Sequence, residues 1–308
     1  MKLPKSWESL GYEMHKPVLL NEVIKFLDPR PHEFFIDGTL NGGGHAASIL
    51  EKMMPEGKFL AIDWDSNILK KTKEIIEAKF QIPNPKFQIF WVNDNYKNMK
   101  SILEKEKLGK ADGLLLDLGF SSEQIENSGR GFSFQKDEPL LMTYSEKSKP
   151  VFKWLENLKE SELAKIIKYF GEEKFASRIA KAIKKNLPIE RTGKLVQTIK
   201  ESVPRSYERE RLNPATRTFQ ALRIFANQEL ENLKLILADL PQILNKGGRA
   251  VVISFHSLED RIVKRSFRSY EIEGQLEILT KKPIVSTEEE VRENPRARSA
   301  KLRAAKIL

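Results

Sequence analysis

The chain has 308 residues and a net charge of +10, from 53 lysines and arginines against 43 aspartates and glutamates. That length allows a sizeable core and two domains, or one with an insertion, and the basic excess favours a polyanionic partner, nucleic acid before a membrane surface. With no cysteine, disulfides and thiolate metal sites are excluded; His15, His32, His45 and His256 lack ligand spacing, so no metal is expected.

The start, MKLPKSWESL, lacks a signal-peptide apolar core, and no run is long enough to span a bilayer, so a cytoplasmic location and no membrane partner are expected. From Pro17, the apolar residues Val18, Leu19, Leu20, Val23, Ile24, Phe26 and Leu27 are spaced as in a helix. Asp28-Pro29-Arg30-Pro31 stops it. The helix is expected over the sheet edge beside the first strand.

Phe34, Phe35 and Ile36 read as a short buried strand ending at Asp37. Gly38 and Gly42-Gly43-Gly44 form a loop, and a helix starts at His45. A strand, a glycine loop and a helix start make half of a nucleotide-binding crevice, because glycines admit the ligand to the backbone and the helix start offers N–H groups. Gly42, Gly44 and Ala47 also satisfy the relaxed G-x-G-x-x-A pattern of NAD-binding folds. Asp37 argues against that ligand: a carboxylate suits hydroxyls and positive charge, as in S-adenosylmethionine, better than a phosphate. A plain glycine-rich turn is the bland alternative.

Lys58 to Ile62 reads as a second strand, ended by Asp63, which lies 19 residues after Gly44. An acid about 20 residues on accepts hydrogen bonds from ribose hydroxyls in such units. The alternative for Asp63 is an N-cap of the following helix. Phe87 to Val92 is a third strand, and Tyr96 beyond it either lies against an adenine ring or packs on the next helix. Ala111 to Asp117 is a fourth, buried strand, followed by Leu118-Gly119-Phe120-Ser121-Ser122. Asp117 is the third carboxylate at a strand end, and in an open α/β sheet these ends line one crevice.

From Glu123 the pattern changes. A loop through Lys136 closes at Asp137, and helices are expected over 151–158, 161–170, 172–185 and 194–202, with Ser161 as an N-cap. The stretch 126–212 reads as a helical insertion in an α/β domain made of 1–125 and 213–308. Asn213 opens a long amphipathic helix to about Leu240. Ala250 to Phe255 is a fifth buried strand, ended by His256-Ser257. In the next helix Arg261, Lys264, Arg265 and Arg268 fall on one side. Like charges there repel unless solvent or an anion faces them, so this is either a solvated face or an RNA contact. The tail is basic again, with Arg296 and Arg298, and its last part reads as an edge strand.

The strings HKPVLLNEV, FIDGTLNGGGHA, LAIDWD, GLLLDLGFSS, RGFSF, NPATRTFQALRIFANQEL, GGRAVVISFHSLEDRIVK and NPRARSAKLR together resemble the bacterial ribosomal RNA small subunit methyltransferase H family, the MraW methylases. The resemblance implies a class I S-adenosylmethionine-dependent, Rossmann-like fold with an inserted helical domain that recognises RNA. It implies methylation of the N4 amine of a cytidine in the decoding region of 16S rRNA, on the assembled small subunit. The family's cofactor contacts fall on Gly43, Gly44, His45, Asp63, Tyr96, Asp117 and Gln124, with Asp37 added by the strand-end argument. Asp117, Ser121, Ser122 and His256 are the candidate catalytic groups, and Arg261, Lys264, Arg265, Arg268, Arg296 and Arg298 the candidate RNA contacts. A homodimer stays open.

One stretch departs from the family. Leu141, Thr143 and Ser145 stand where Asp, Arg and Asp are expected, with Asp137 and Glu138 as possible substitutes. The alternative reading is therefore a cofactor-binding ribosome-assembly protein whose catalysis is reduced or lost through the loop 140–145.

Overall fold

The computed structural model describes residues 17–80, 86–119, 124–125, 128–204, 207 and 213–308. The chain forms two compact units, 1–120 with 231–308, and 121–230.

The first unit is a seven-stranded sheet: β1 (Phe34–Asp37), β2 (Gly57–Asp63), β3 (Phe87–Asn93), β4 (Ala111–Asp117), β5 (Leu244–Ser254), β6 (Leu276–Ile278) and β7 (Lys301–Ile307). Their spatial order is β3-β2-β1-β4-β5-β7-β6. The first five run parallel, and β7 is antiparallel to both β5 and β6. This is the class I methyltransferase arrangement that the sequence led us to expect.

The strands are apolar on both faces because helices cover both. Alternate residues go to opposite sides: Phe34 and Ile36 join Leu60, Ile62, Leu114 and Leu116 in one core. Phe35 joins Phe59, Ala61, Leu115 and Val251 in the other. Gly113 has no side chain because the Phe35 ring fills the space; a Cβ there would lie 2.0 Å from the ring. Helices α1 (Leu20–Leu27), α2 (Gly44–Met53) and α3 (Ser66–Phe80) serve the Phe35 side. Helix α4 (Met99–Lys105) serves the other side. Helix α1 does not sit at an edge. It packs over β4, β5 and β7, because β1 is an interior strand.

The second unit contains α5 (Val151–Asn157), α6 (Glu160–Gly171), α7 (Ala176–Lys185), α8 (Thr192–Ser202) and α9 (Ala215–Asn227). Its core joins Leu155, Leu163, Ile167, Ile179, Ile183, Leu195 and Ile199 to Phe219 and Leu222 of α9. The units therefore part at 120/121 and 230/231, whereas the sequence division stood at 125/126 and 212/213. The apolar face of α9, with Ala215, Phe219 and Leu222, is buried among these helices. Ser161 lies inside α6 and is not its cap: Lys159 precedes the first turn, and its N–H donates to Glu162 Oε2 at 2.8 Å.

The helix expected from Asn213 to Leu240 is two helices. Gln228, at φ +53°, ends α9, and α10 (Glu229–Ala238) follows. Helix α11 (Leu240–Ile243) leads into β5, and α12 (Ser257–Ile272) follows β5. Both contribute to the core on the Phe34 side. Strand β7 is not an edge strand, since β6 pairs outside it. No described helix is long and apolar enough to cross a membrane.

Candidate active site

The strand order reverses between β1 and β4, and crevices of open α/β sheets form at such a point, outside the carboxyl ends of the strands. Asp37 ends β1, Asp63 ends β2 and Asp117 ends β4.

The glycine loop is tied to all three strand ends. Thr39 N–H donates to Asp37 Oδ1 at 3.0 Å, and Asp117 N–H donates to Thr39 Oγ1 at 2.6 Å. Asn41 N–H donates to Asp63 Oδ2 at 2.9 Å, and the Asn41 amide donates to the Asp117 carbonyl at 3.3 Å. Two glycines are required by space. A Cβ on Gly38 would lie 2.7 Å from Leu116 Cδ2. Gly43 has φ +75°, and a Cβ there would lie 2.5 Å from Thr72 Cγ2. Helix α2 then starts at Gly44 with no side-chain cap, leaving the backbone N–H groups of its first turn facing the loop.

Asp37 and Asp63 are buried, Asp117 is half-buried, and they lie close enough to perturb one another. Asp37 is pushed up to about 7 by burial, opposed by the Thr39 N–H and reinforced by Asp63. Burial, then Asp37 and Glu259, hold Asp117 well above the usual carboxylate range. Asp117 Oδ1 is buried without a hydrogen-bond partner, while Oδ2 lies 3.6 Å from His45 Nδ1.

Asp63 does not cap α3; Asp65 does, accepting from Asn67 N–H at 3.1 Å. Asp63 binds the glycine loop and accepts from Asp65 N–H at 2.8 Å through its other oxygen. Tyr96 is half-buried and begins a short 3-10 turn capped by Asn95. Its Cβ would lie 3.4 Å from a Cβ on Gly38, which puts it beside the glycine loop.

The side chain of His45 turns into the protein, with Nε2 at 2.9 Å from the Val18 carbonyl. His256 is the N-cap of α12, where Glu259 Oε2 accepts from the N–H groups of Phe255 and His256 at 2.9 and 3.3 Å. Glu259, a further buried carboxylate that acts on Asp117, went unnoticed in the sequence. Its signal was the H-x-x-E spacing of a capping box in SFHSLEDR.

Gln124 is buried in the second unit, where Ser128 Oγ donates to its carbonyl at 2.5 Å. Ser121 and Ser122 lie outside the described residues. Arg261, Lys264, Arg265 and Arg268 are all exposed along α12. Arg296 is half-buried and Arg298 exposed in the turn before β7, whereas Arg303 is buried against Asp260 at 2.7 Å.

The profile of the MraW methylase family matches residues 12–308. The chain belongs to that family. It is 45% identical over 299 residues to the ribosomal RNA small subunit methyltransferase H of Thermotoga neapolitana, covering 96% of each chain. It is likewise 45% identical over 314 residues to the protein of that name from Geobacter sulfurreducens, covering 96% of this chain and 99% of that one. The Koribacter versatilis protein of that name is 43% identical over 308 residues, covering 98% and 96%.

A member of the MraW methylase family is a methyltransferase, and its methyl donor is S-adenosylmethionine. The rim fits this donor. It has glycines whose Cβ positions are already filled, an uncapped helix start for a carboxylate, and acids at the strand ends of which one oxygen, Asp117 Oδ1, is buried and unsatisfied.

Proposed function

We propose that the chain transfers a methyl group from S-adenosylmethionine to the N4 amine of a cytidine in the decoding region of 16S rRNA, within the small ribosomal subunit. The observation that carries this reading is identity of 45% over nearly the whole chain to relatives named ribosomal RNA small subunit methyltransferase H. The cytidine amine and the decoding region come from the family resemblance in the sequence.

S-adenosylmethionine supplies a methyl group on a sulfonium centre. Gly43, Gly44 and the N–H groups at the start of α2 would bind its carboxylate, and Asp63 its ribose hydroxyls. Asp37 and Asp117 would face its positive charge, and Tyr96 would lie against the adenine.

The exocyclic amine of cytidine is a weak nucleophile because its lone pair is delocalised into the ring. It needs to be held roughly 3–3.5 Å from the methyl carbon, in line with the bond to sulfur. An amine N–H donated to Asp117 Oδ1 would orient the lone pair and give the proton a destination. Unstacking the base costs a few kcal/mol unless the RNA is already unpaired there.

The exposed cations of α12, with Arg296 and Arg298, would hold phosphates. The helical unit would be a second recognition surface: ten basic and three acidic residues lie between Lys165 and Lys200. Of these, Lys165, Lys168, Lys181 and Lys185 are exposed and form no ion pair among the described residues.

The divergent loop does not favour the binding-only alternative. Arg130 donates to the carbonyls of Thr143 and Tyr144 at 3.2 and 3.0 Å. Asn227 accepts from Tyr144 N–H at 3.1 Å and donates to the Met142 carbonyl at 2.7 Å. The loop is thus anchored to the rest of its unit through backbone groups, and Ser145 Oγ accepts locally, from Lys147 N–H at 3.3 Å. Asp137 and Glu138 are committed elsewhere in the same unit, to Arg191 at 2.7 Å and to Gly131 N–H at 2.9 Å.

The test is incubation with labelled S-adenosylmethionine and either small or large ribosomal subunits from a strain lacking the activity. Label in the rRNA of small subunits alone supports the reading. Label in neither, with the donor still bound, would return the binding-only alternative.

A further inference from the structure

The contact between His45 and Asp117 has a chemical consequence. A carbonyl oxygen only accepts hydrogen bonds, so the 2.9 Å contact with Val18 assigns a proton to His45 Nε2. In the neutral ring Nδ1 is then an acceptor, and it faces Asp117 Oδ2, a second acceptor when ionised, at 3.6 Å. Two acceptors turned toward each other in a buried site repel. One proton on either of them converts the contact into an attraction.

The surroundings favour keeping that proton. Among the described residues, the acids that act on Asp117 are Asp37 from β1 and Glu259 from α12, and Asp63 acts on Asp37 in turn. Among the described residues, neither Asp37 nor Asp117 forms an ion pair with a lysine or arginine. His45 itself is buried beside Asp117 at the start of α2. Clustered carboxylates without cations nearby hold on to protons until a cation arrives.

We propose that His45 and Asp117 share one proton, that the pair gives this proton up when a sulfonium donor binds, and that it accepts a proton again as the substrate amine is methylated. His45 is then a positioning residue. It holds Asp117 through Oδ2 and leaves Oδ1 for a ligand. The upward displacement of Asp117 by burial and by its acidic neighbours agrees with this.

The second half of the cycle rests on the proposed transfer to an amine. There the nitrogen lone pair forms the bond to the methyl carbon, and the carbon–sulfur bond breaks with its electron pair left on sulfur. The N–H bond breaks with its pair kept by nitrogen, and the proton passes to the pair. With the positive charge gone from sulfur, the pair again favours its protonated form.

The first half is testable without RNA. Calorimetric titration of the intact protein with S-adenosylmethionine, and separately with S-adenosylhomocysteine, is run between pH 6 and 8 in phosphate and in Tris. The buffer dependence of the heat counts protons released. The sulfonium form should release up to about one proton more than the neutral thioether form. His45→Gln, whose amide still reaches the Val18 carbonyl but does not titrate, should abolish that difference or move it to another pH range.

Equal proton counts for the two ligands, or an unchanged difference in His45→Gln, would overturn the proposal. Nitrogen chemical shifts of His45 in the wild-type protein give a check that needs no variant: a neutral ring protonated on Nδ1 would also overturn it. Normal binding of S-adenosylmethionine without the proton difference defeats this inference alone. No binding at all defeats the methyltransferase reading with it.

Discussion

Asp37→Asn should make the protein more stable in alkali while weakening its site. The change removes a buried charge and keeps the shape, and the Asn oxygen still accepts from Thr39 N–H, which now reaches Asp37 at 3.0 Å. Asp37 holds its proton to about pH 7 in the folded protein, whereas an unfolded chain loses it near pH 4. Between those values the folded state binds more protons, so stability is largest at the acid end and falls as pH rises through the window. For this group the loss between pH 5 and pH 8 is about 3 kcal/mol, from two titrating units at about 1.4 kcal/mol each.

Denaturant unfolding of wild type and Asp37→Asn at pH 5 and pH 8 measures it. The variant's advantage should grow by about 3 kcal/mol toward pH 8. Its affinity for S-adenosylmethionine should fall, because the site loses a charge that faces a cation. If the difference between variant and wild type were the same at both pH values, the buried, proton-holding Asp37 would be refuted.

Asp63→Ala should lower S-adenosylmethionine affinity by tenfold or more, about 1.4 kcal/mol, with the circular dichroism spectrum unchanged; unaltered affinity would remove Asp63 from the site. Arg223→Ala strips Glu229 of three contacts, at 2.9, 3.2 and 2.9 Å, where both side chains are nearly buried. It should cost about 3–5 kcal/mol, read as an early unfolding transition of the helical unit. Charge reversal of Lys264 and Arg265 together should flatten the salt dependence of binding to small subunits, lowering the log–log slope by about 1–2. An unchanged slope would take α12 out of the RNA contact.

The sequence showed the centre of the sheet more clearly than its flank. Each of β1 to β5 contains an apolar run, and the acids that end β1, β2 and β4 stand out because they follow such runs directly. β6 is only Leu276-Glu277-Ile278, too short to show a period. β7 begins and nearly ends on lysines, which disguised its interior place although four of its seven positions are buried in succession.

The break at Gln228 was hidden for a different reason. The apolar spacing carries on from Leu222 to Leu230, and the left-handed turn between them is held by a tertiary contact, the Asn227 side chain bonded to the Met142 carbonyl at 2.7 Å. The role of His45 was likewise out of reach. A glycine-loop histidine suggests a ligand contact, and only the folded chain brings Val18 to one ring nitrogen and Asp117 to the other. Arg303 looked like part of a basic tail; its pairing with Asp260 across the fold decides otherwise.

The proposed activity is transfer of a methyl group to one nitrogen of one cytidine. It is tested most directly by treating small subunits that lack the modification with the protein and S-adenosylmethionine, digesting the 16S rRNA and mapping the product by tandem mass spectrometry. One added methyl on the base of a single decoding-region cytidine, with fragmentation placing it on the exocyclic amine, is the predicted result. A methyl on a ribose or on another base, or rRNA left unmodified while the donor binds normally, would contradict it.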